Sequence, residues 1–342
     1  MSKTIKIVRT DQELECPVVD EKLRALGADL VLLPDGVDED VLVAEVRDAD
    51  LVLMCYTPIT RRVIESAPNL KGIVKYGVGI DAIDIEAAKD HRVPVVNIPE
   101  YAEETVAEGA FTMMIALAKK LVPLHNAMQS EGWAWPQAKW MGSDIAGKTV
   151  GLIGCGRIGR SMARMAGVGF RARVIAYDPN ISATDMAAIG VEKVDDLHDM
   201  LGQADFVTVH SVLTPQSRGL MDAAAFAAMK PTAFFLNVSR GAIVDELAML
   251  EALKSGQIAG AGLDVFNIEP MAHEGHPLSE LYALDNVILM PHLTFYTQDA
   301  MRRLEEETIE RCLELLEGKA VLIKSKDPRL TAQTSGVVLA PG

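Results

Sequence analysis

Arg240, Glu269 and His292 stand in the segments NVSRGAIVDE, LDVFNIEP and MPHLTFYT, downstream of a glycine-rich turn, GLIGCGRIGRSM. An arginine fork grips a carboxylate or carbonyl oxygen through two hydrogen bonds, which lysine cannot do. An imidazole carries and releases a proton near neutral pH. A carboxylate beside an imidazole favours its charged form and fixes its orientation. With a nucleotide cradle, these are the parts needed to move a hydride onto a 2-keto acid, so Arg240, Glu269 and His292 are the candidate catalytic residues. Each type has a commoner use: arginines make surface ion pairs, histidines join structural networks, and acids occupy loops. Chemistry is favoured because all three fall at strand ends of one nucleotide-binding sheet.

The turn itself is Gly154-Cys155-Gly156-Arg157-Ile158-Gly159, entered from the apolar run VGLI and left into SMARMA. In a G-x-G-x-x-G between strand and helix, the first glycine permits the tight turn and the second leaves room for a pyrophosphate. The third lets helix and strand pack closely. Free N–H groups and the helix dipole then favour a phosphate at that end. A glycine turn selected only for packing would read the same. However, the next strand, RVIAYD, ends in Asp178, 178 − 159 = 19 residues beyond the third glycine. A carboxylate there meets the adenosine ribose hydroxyls, and its charge repels the 2′-phosphate of NADP. The expected cofactor is NAD. Candidate contacts are Gly154, Gly156, Arg157, Ile158, Gly159 and Asp178, joined by His210, Val238 and Asp264 at the ends of later strands. Asp264 has two open roles, a nicotinamide contact or a cap on a turn.

These residues need a scaffold, and the pattern around them supplies one. Apolar runs at 5–8, 30–33, 51–54, 72–75 and 93–97 alternate with helix-like stretches at 11–26, 39–47 and 85–90. A second series of runs follows at 149–153, 173–177, 206–210, 234–237, 260–264 and 287–290. Strands alternating with helices pair in parallel through crossovers. The expected fold is α/β: two Rossmann-like, doubly wound parallel-sheet domains with a cleft between them. Val106, Ala110, Met113, Met114 and Leu117 predict a helix over 103–120, and residues 299–317 a charged amphipathic one. The stretch GWAWPQAKW holds all three tryptophans, Trp133, Trp135 and Trp140. It reads as an arm, too apolar to stand in water alone. Residues 331–342 show no period and are expected to form a loose tail.

The bulk properties exclude several classes. At 342 residues the chain has the length for two domains with their own cores. A net charge of −15 disfavours nucleic acid and anionic membranes, and Lys119-Lys120 and Arg61-Arg62 are pairs rather than basic stripes. No apolar run approaches the ~20 residues of a membrane helix. The opening MSKTIKIVRT carries no signal-like run. Cys16, Cys55, Cys155 and Cys312 form no C-x-x-C pair, so neither a zinc site nor a disulfide framework is indicated. A cytoplasmic protein without a metal is expected.

With these residues in view, the chain resembles the D-isomer-specific 2-hydroxyacid dehydrogenases over roughly residues 40–325. The likeness is carried by KYGVGIDAIDIEAA, NIPEYAEETVAEGAF, the 151–178 nucleotide motif, NVSRGAIVDE, GLDVFNIEP and MPH, in that order. The resemblance implies a discontinuous substrate domain, 1–101 plus 297–330, and an NAD-binding Rossmann domain, 102–296, bearing a dimerisation arm. It also implies a homodimer, with Trp135 the candidate to approach the neighbouring subunit's pocket. Val78 and Gly79 would offer backbone N–H groups to the substrate carboxylate, and Arg240 would hold the keto acid. His292 would be the acid in reduction and the base in oxidation, supported by Glu269. The loop 54–60, with Tyr56, would line the substrate side chain. Departures from the common pattern are Gly109 for His, Ala82 for Asn, Val212 for Pro, and Thr294 and Phe295 for Gly and Ser.

The activity expected is NAD-dependent interconversion of a small D-2-hydroxy acid and its 2-keto acid, as in glyoxylate or hydroxypyruvate reduction. Phe295 and Tyr56 are expected to narrow the pocket with apolar surface. The alternatives are a 3-phosphoglycerate dehydrogenase-like enzyme, with Arg61 and Arg62 as phosphate ligands, and an NAD-sensing corepressor or scaffold on the same fold.

Overall fold

The structure, a computed structural model, describes residues 4–341. The chain divides into two compact units, Met1–Ala102 with Thr297–Gly342, and Glu103–Tyr296.

The first unit is built on β1 (Lys6–Arg9), β2 (Asp29–Leu32), β3 (Leu51–Met54), β4 (Gly72–Lys75) and β5 (Val95–Asn97), all parallel, in the order β2-β1-β3-β4-β5. The order reverses between β1 and β3. Ligand sites of open parallel sheets form at such reversals, outside the carboxyl ends of the strands. Asp11 and residues 55–60 leave the sheet there.

The second unit carries β6 (Thr149–Ile153), β7 (Arg173–Tyr177), β8 (Glu192–Lys193), β9 (Phe206–Val209), β10 (Phe234–Asn237), β11 (Gly260–Leu263) and β12 (Val287–Leu289). They too are parallel, in the order β12-β11-β10-β9-β6-β7-β8, with the reversal between β6 and β9. Each face of this sheet has its own core. One gathers Ile175, Met200, Phe226, Phe235 and Leu250, the other Met114, Val150, Leu152, Met162 and Leu236. Burial on both faces is why the strands read as unbroken apolar runs and not as alternation. The helix Glu103–Ala118 packs directly on β11, where a Cβ added to Gly262 would meet Met113 Cβ at 3.0 Å.

Three expectations need correction. The first helix is Pro17–Ala25 rather than 11–26, because Asp11 takes a left-handed turn (φ 57°) and Pro17 sits in the opening turn, the place a proline tolerates best. Beyond the helix ending at Ala118, Lys120 adopts φ 51° and a further helix, Leu121–Glu131, follows. Periodicity did not indicate it, since Pro123 reads as a breaker; within the first turn its missing N–H costs nothing. The last residues are not a loose tail. β14 (Val337–Leu339) pairs in parallel with β13 (Val321–Ile323), and the Gln333 amide exchanges hydrogen bonds with Val95 N and O at 2.7 and 2.8 Å. A three-residue strand and a single side chain mimicking a strand partner leave no period to read.

Candidate active site

The glycine turn leaves β6 at the reversal point of the second sheet. Gly154 adopts φ 95°, and a Cβ on it would strike Ser211 N at 2.7 Å; one on Gly159 would strike Gly154 O at 2.4 Å. Gly156 is the exception: nothing lies within 4 Å of its Cβ direction. The turn is therefore closed against protein at Gly154 and Gly159 and open at Gly156, which is the shape a pyrophosphate requires. The helix Arg157–Arg164 starts there. The Arg157 guanidinium is paired with Glu103 at 3.1 Å, so toward an anion Arg157 and Ile158 contribute backbone N–H groups. Asp178 lies beside the turn: one carboxylate oxygen accepts from Cys155 N and the other from Asn180 N, both at 2.9 Å. Beneath the turn, His210 Nδ1 and Ser211 Oγ are buried without a hydrogen-bond partner, while His210 Nε2 lies 3.0 Å from Thr208 Oγ1. Burial pushes His210 down to about 3, so this ring offers hydrogen bonds and no charge. Orphaned polar atoms beneath an open glycine cradle fit a dinucleotide. Val238 is 7% exposed, at the end of β10, and packs in the core of the same face.

Arg240 follows on the same strand end. The Asn237 side chain shapes this turn, donating to Arg240 O and accepting from Ser239 N, both at 3.0 Å. Gly241 then packs flat on the neighbouring loop: a Cβ there would lie 2.1 Å from Asn267 N and Phe266 C. That contact brings the Arg240 turn against the segment bearing Glu269. Glu246 fixes this loop by accepting from Asn267 N at 2.8 Å. Glu269 itself accepts from Phe266 N at 2.8 Å through one oxygen and faces His292 Nδ1 at 2.9 Å through the other. Burial pushes the Glu269 carboxyl up. His292, Phe266 N–H and the nearby Arg240 outweigh it, and the net position is below the usual carboxylate range. Glu269 thus remains an anion throughout the neutral range. Since Glu269 only accepts, the hydrogen of this contact is carried by His292 Nδ1.

The three catalytic candidates are thus brought together by β10, β11 and β12. Of the two roles left open for Asp264, the structure displays the cap: it is 1% exposed and accepts from Leu293 N, Thr294 N and Thr294 Oγ1. Phe295, expected to wall a pocket, is 7% exposed and sets its edge against the His292 ring, with centroids 6.5 Å apart. Tyr296 is the exposed aromatic of this loop, at 45%.

In the first unit, Tyr56 and Val78 are exposed at 37% and 45%, and Gly79 is half-buried. Two residues there escaped the sequence reading. Asp11 fastens the 55–57 loop, accepting from Cys55 N, Thr57 N and Thr57 Oγ1 at 2.6, 3.0 and 2.8 Å. Burial pushes its carboxyl up, but these donors and Thr10 hold it below the usual range. Lys75 is buried beneath the same loop, its Nζ donating to Cys55 O at 2.5 Å and lying 5.3 Å from the Tyr56 ring centre. The available signal was a lysine closing the otherwise apolar strand GIVK. Arg61 and Arg62 are turned to carboxylates: Arg61 to Asp90 at 2.8 Å, and Arg62 to Glu39 at 3.1 Å. All four cysteines are buried and free, no group of metal-ligating residues is present among the described residues, and no described helix is long and apolar enough to cross a membrane.

Comparison with known proteins gives the arrangement a lineage. Residues 111–294 match the family model described as D-isomer specific 2-hydroxyacid dehydrogenase, NAD binding domain. The chain is 37% identical over 317 residues to a D-3-phosphoglycerate dehydrogenase of Methanocaldococcus jannaschii, covering 92% of this chain and 58% of that protein. It is 35% identical over 292 residues to a glyoxylate reductase of Thermococcus litoralis, covering 84% and 86%. A solved D-lactate dehydrogenase of Aquifex aeolicus, complexed with NAD and lactic acid, superposes with a TM-score of 0.80 at 27% identity, covering 91% and 96%. The chain spans 53–58% of the length of the D-3-phosphoglycerate dehydrogenases it matches. A cradle open only at its second glycine, an Arg–Glu–His set on adjoining strand ends and this agreement in sequence and fold lead to one conclusion: the chain belongs to the D-isomer specific 2-hydroxyacid dehydrogenase family, and its residues 111–294 are that family's NAD-binding domain.

Proposed function

We propose that this protein is an NAD-dependent oxidoreductase interconverting a small D-2-hydroxy acid and its 2-keto acid, of the glyoxylate or hydroxypyruvate type. The observation that carries the reading is the 2.9 Å contact of His292 Nδ1 with Glu269, on the strand-end loops that also hold Arg240. Gly154, Gly156, Arg157, Ile158, Gly159, Asp178, His210 and Val238 would hold NAD, which would supply or take up the hydride when bound. In reduction, His292 Nε2 gives its proton to the carbonyl oxygen as that oxygen gains charge, and in oxidation it takes the proton back. Glu269 holds the ring in one orientation and offsets its positive charge. Arg240 grips the substrate's oxygens and favours the build-up of negative charge on the one being reduced. Val78 and Gly79 keep the role of backbone donors to the carboxylate, and Tyr56 that of a side-chain wall.

A small, uncharged substituent is supported by the ion pairs of Arg61 and Arg62, which occupy the two arginines nearest the 54–60 loop. The second reading is a phosphorylated acid, favoured by the likeness to D-3-phosphoglycerate dehydrogenases and by the Lys75 cation beneath Tyr56. The deciding experiment compares kcat/KM for hydroxypyruvate and 3-phosphohydroxypyruvate with NADH. The first reading expects hydroxypyruvate to match or exceed its phosphate ester. An advantage of the ester above about tenfold, ~1.4 kcal/mol, rejects it and makes Lys75 the residue to mutate next.

The arm supports a homodimer. Trp133, Trp135 and Met141 are 70%, 71% and 75% exposed, and the neighbouring helix adds Leu121, Val122 and Met128. An apolar surface of this kind on a soluble protein marks an interface. Light scattering at working concentration should give twice the 37.0 kDa chain mass. A monomer, or a dimer that persists when Trp133 and Trp135 are both replaced by serine, removes the arm from the interface.

A further inference from the structure

Two departures from the family pattern meet in space. A Cβ placed on Gly109, in the helix Glu103–Ala118, would lie 2.7 Å from both Cβ and Cγ2 of Thr294. The missing side chain at 109 is therefore the room that Thr294 occupies. On its other side, Thr294 Oγ1 donates to Asp264 at 2.6 Å, its N–H donates to the same oxygen at 3.1 Å, and Leu293 N donates to the other oxygen at 2.8 Å.

These contacts surround His292. The chain reaches it from Met290, whose N–H is bonded to Leu263 O at 2.8 Å, and leaves it through Leu293 and Thr294, both bonded to Asp264. Leu263 and Asp264 are consecutive at the end of β11, and Asp264 N is tied to Asn237 O of β10. His292 itself sits at φ 59°, a conformation that an L side chain adopts reluctantly and holds only where its surroundings enforce it. Anchors before and after the residue, both on one strand end, provide that enforcement.

We infer that Thr294 is a positioning residue for His292, locked between the gap at Gly109 and the Asp264 carboxylate. The inference rests on the reading of His292 as proton donor. Asp264 belongs to the same lock: it is buried and ties the loop through Leu293 N, Thr294 N and Thr294 Oγ1, with its carboxyl pushed up by burial against the pull of those donors.

The test is a cycle of variants in the whole protein, reading kcat, its pH profile and NADH affinity by fluorescence quenching. Thr294→Val keeps the shape and removes the hydroxyl. It should lower kcat by about tenfold, the worth of one hydrogen bond to a charged group, with NADH affinity within about twofold of the parent. Thr294→Ser, which keeps the hydroxyl, should recover most of the loss. In a His292→Ala background the Val substitution should cost nothing further, because residues that act as a unit are non-additive. Gly109→Ala approaches from the other side and keeps the test alive if Thr294→Val melts early. It should lower kcat more than Thr294→Val does, and adding Thr294→Gly should relieve the clash and return activity to the Thr294→Val level. Full activity in Thr294→Val overturns the inference, as does an equal loss in both backgrounds. Near-normal turnover of His292→Ala alone defeats the proton-donor reading instead, so the two failures are distinct.

Discussion

Replacing His292 by alanine is expected to lower kcat by about 10²–10⁴, the range a positioned general acid contributes. NADH affinity should change little, because the imidazole belongs to the β12 loop and the cradle to the β6 turn. The size of the loss follows from what the ring does at the reacting oxygen. Without a donor, the charge growing on that oxygen must be met by water or by Arg240 alone, and the reverse reaction loses its base. The Glu269 carboxylate would then stand beside an empty position. Because Glu269 lies below the usual carboxylate range, its charge persists through the neutral range and is lost only as pH falls through its own lowered value. A folded His292→Ala protein with turnover within about fivefold of the parent would mean that the histidine is structural.

NADH should be preferred over NADPH by about a hundredfold or more in kcat/KM, some ~2.7 kcal/mol, because a like-charge contact in a confined site costs several kcal/mol. Asp178 is the source of that repulsion. Its two oxygens are held by Cys155 N and Asn180 N, so the carboxylate cannot swing away from the turn without giving up both bonds. Asp178→Ala should narrow the ratio, mainly by weakening NADH. Equal efficiency with the two cofactors in the parent protein would remove Asp178 from the ribose.

Much of this was legible beforehand because parallel strands buried on both faces are unbroken apolar runs, and residues such as Asp178 and Arg240 close those runs. The parts that were not legible depend on space and not on order. Gly241 reads as one glycine among many; only the folded chain shows that its missing Cβ lets the Arg240 turn lie on residues 266–267. Gly109 and Thr294 are 294 − 109 = 185 residues apart, and each looked like an isolated departure until the helix was laid beside the His292 loop. Asp11 was invisible as a loop anchor because its role needs a left-handed backbone that nothing in TDQE announces. Phe295 is expected at a pocket wall from its place close to His292, yet the turn buries it together with Thr294 and leaves Tyr296 exposed. The Pro123 helix and the short β14 strand escaped for the opposite reason: their local signals point the wrong way or are too brief to count.

The central claim is that this chain reduces 2-keto acids with NADH to hydroxy acids of D configuration. The most direct measurement incubates the protein with NADH and pyruvate or hydroxypyruvate, follows NADH optically and separates the product enantiomers by chiral chromatography. The account predicts one equivalent of the D-2-hydroxy acid for each NADH consumed. A protein that binds NADH yet turns over no 2-keto acid, or that yields the L enantiomer, would contradict it.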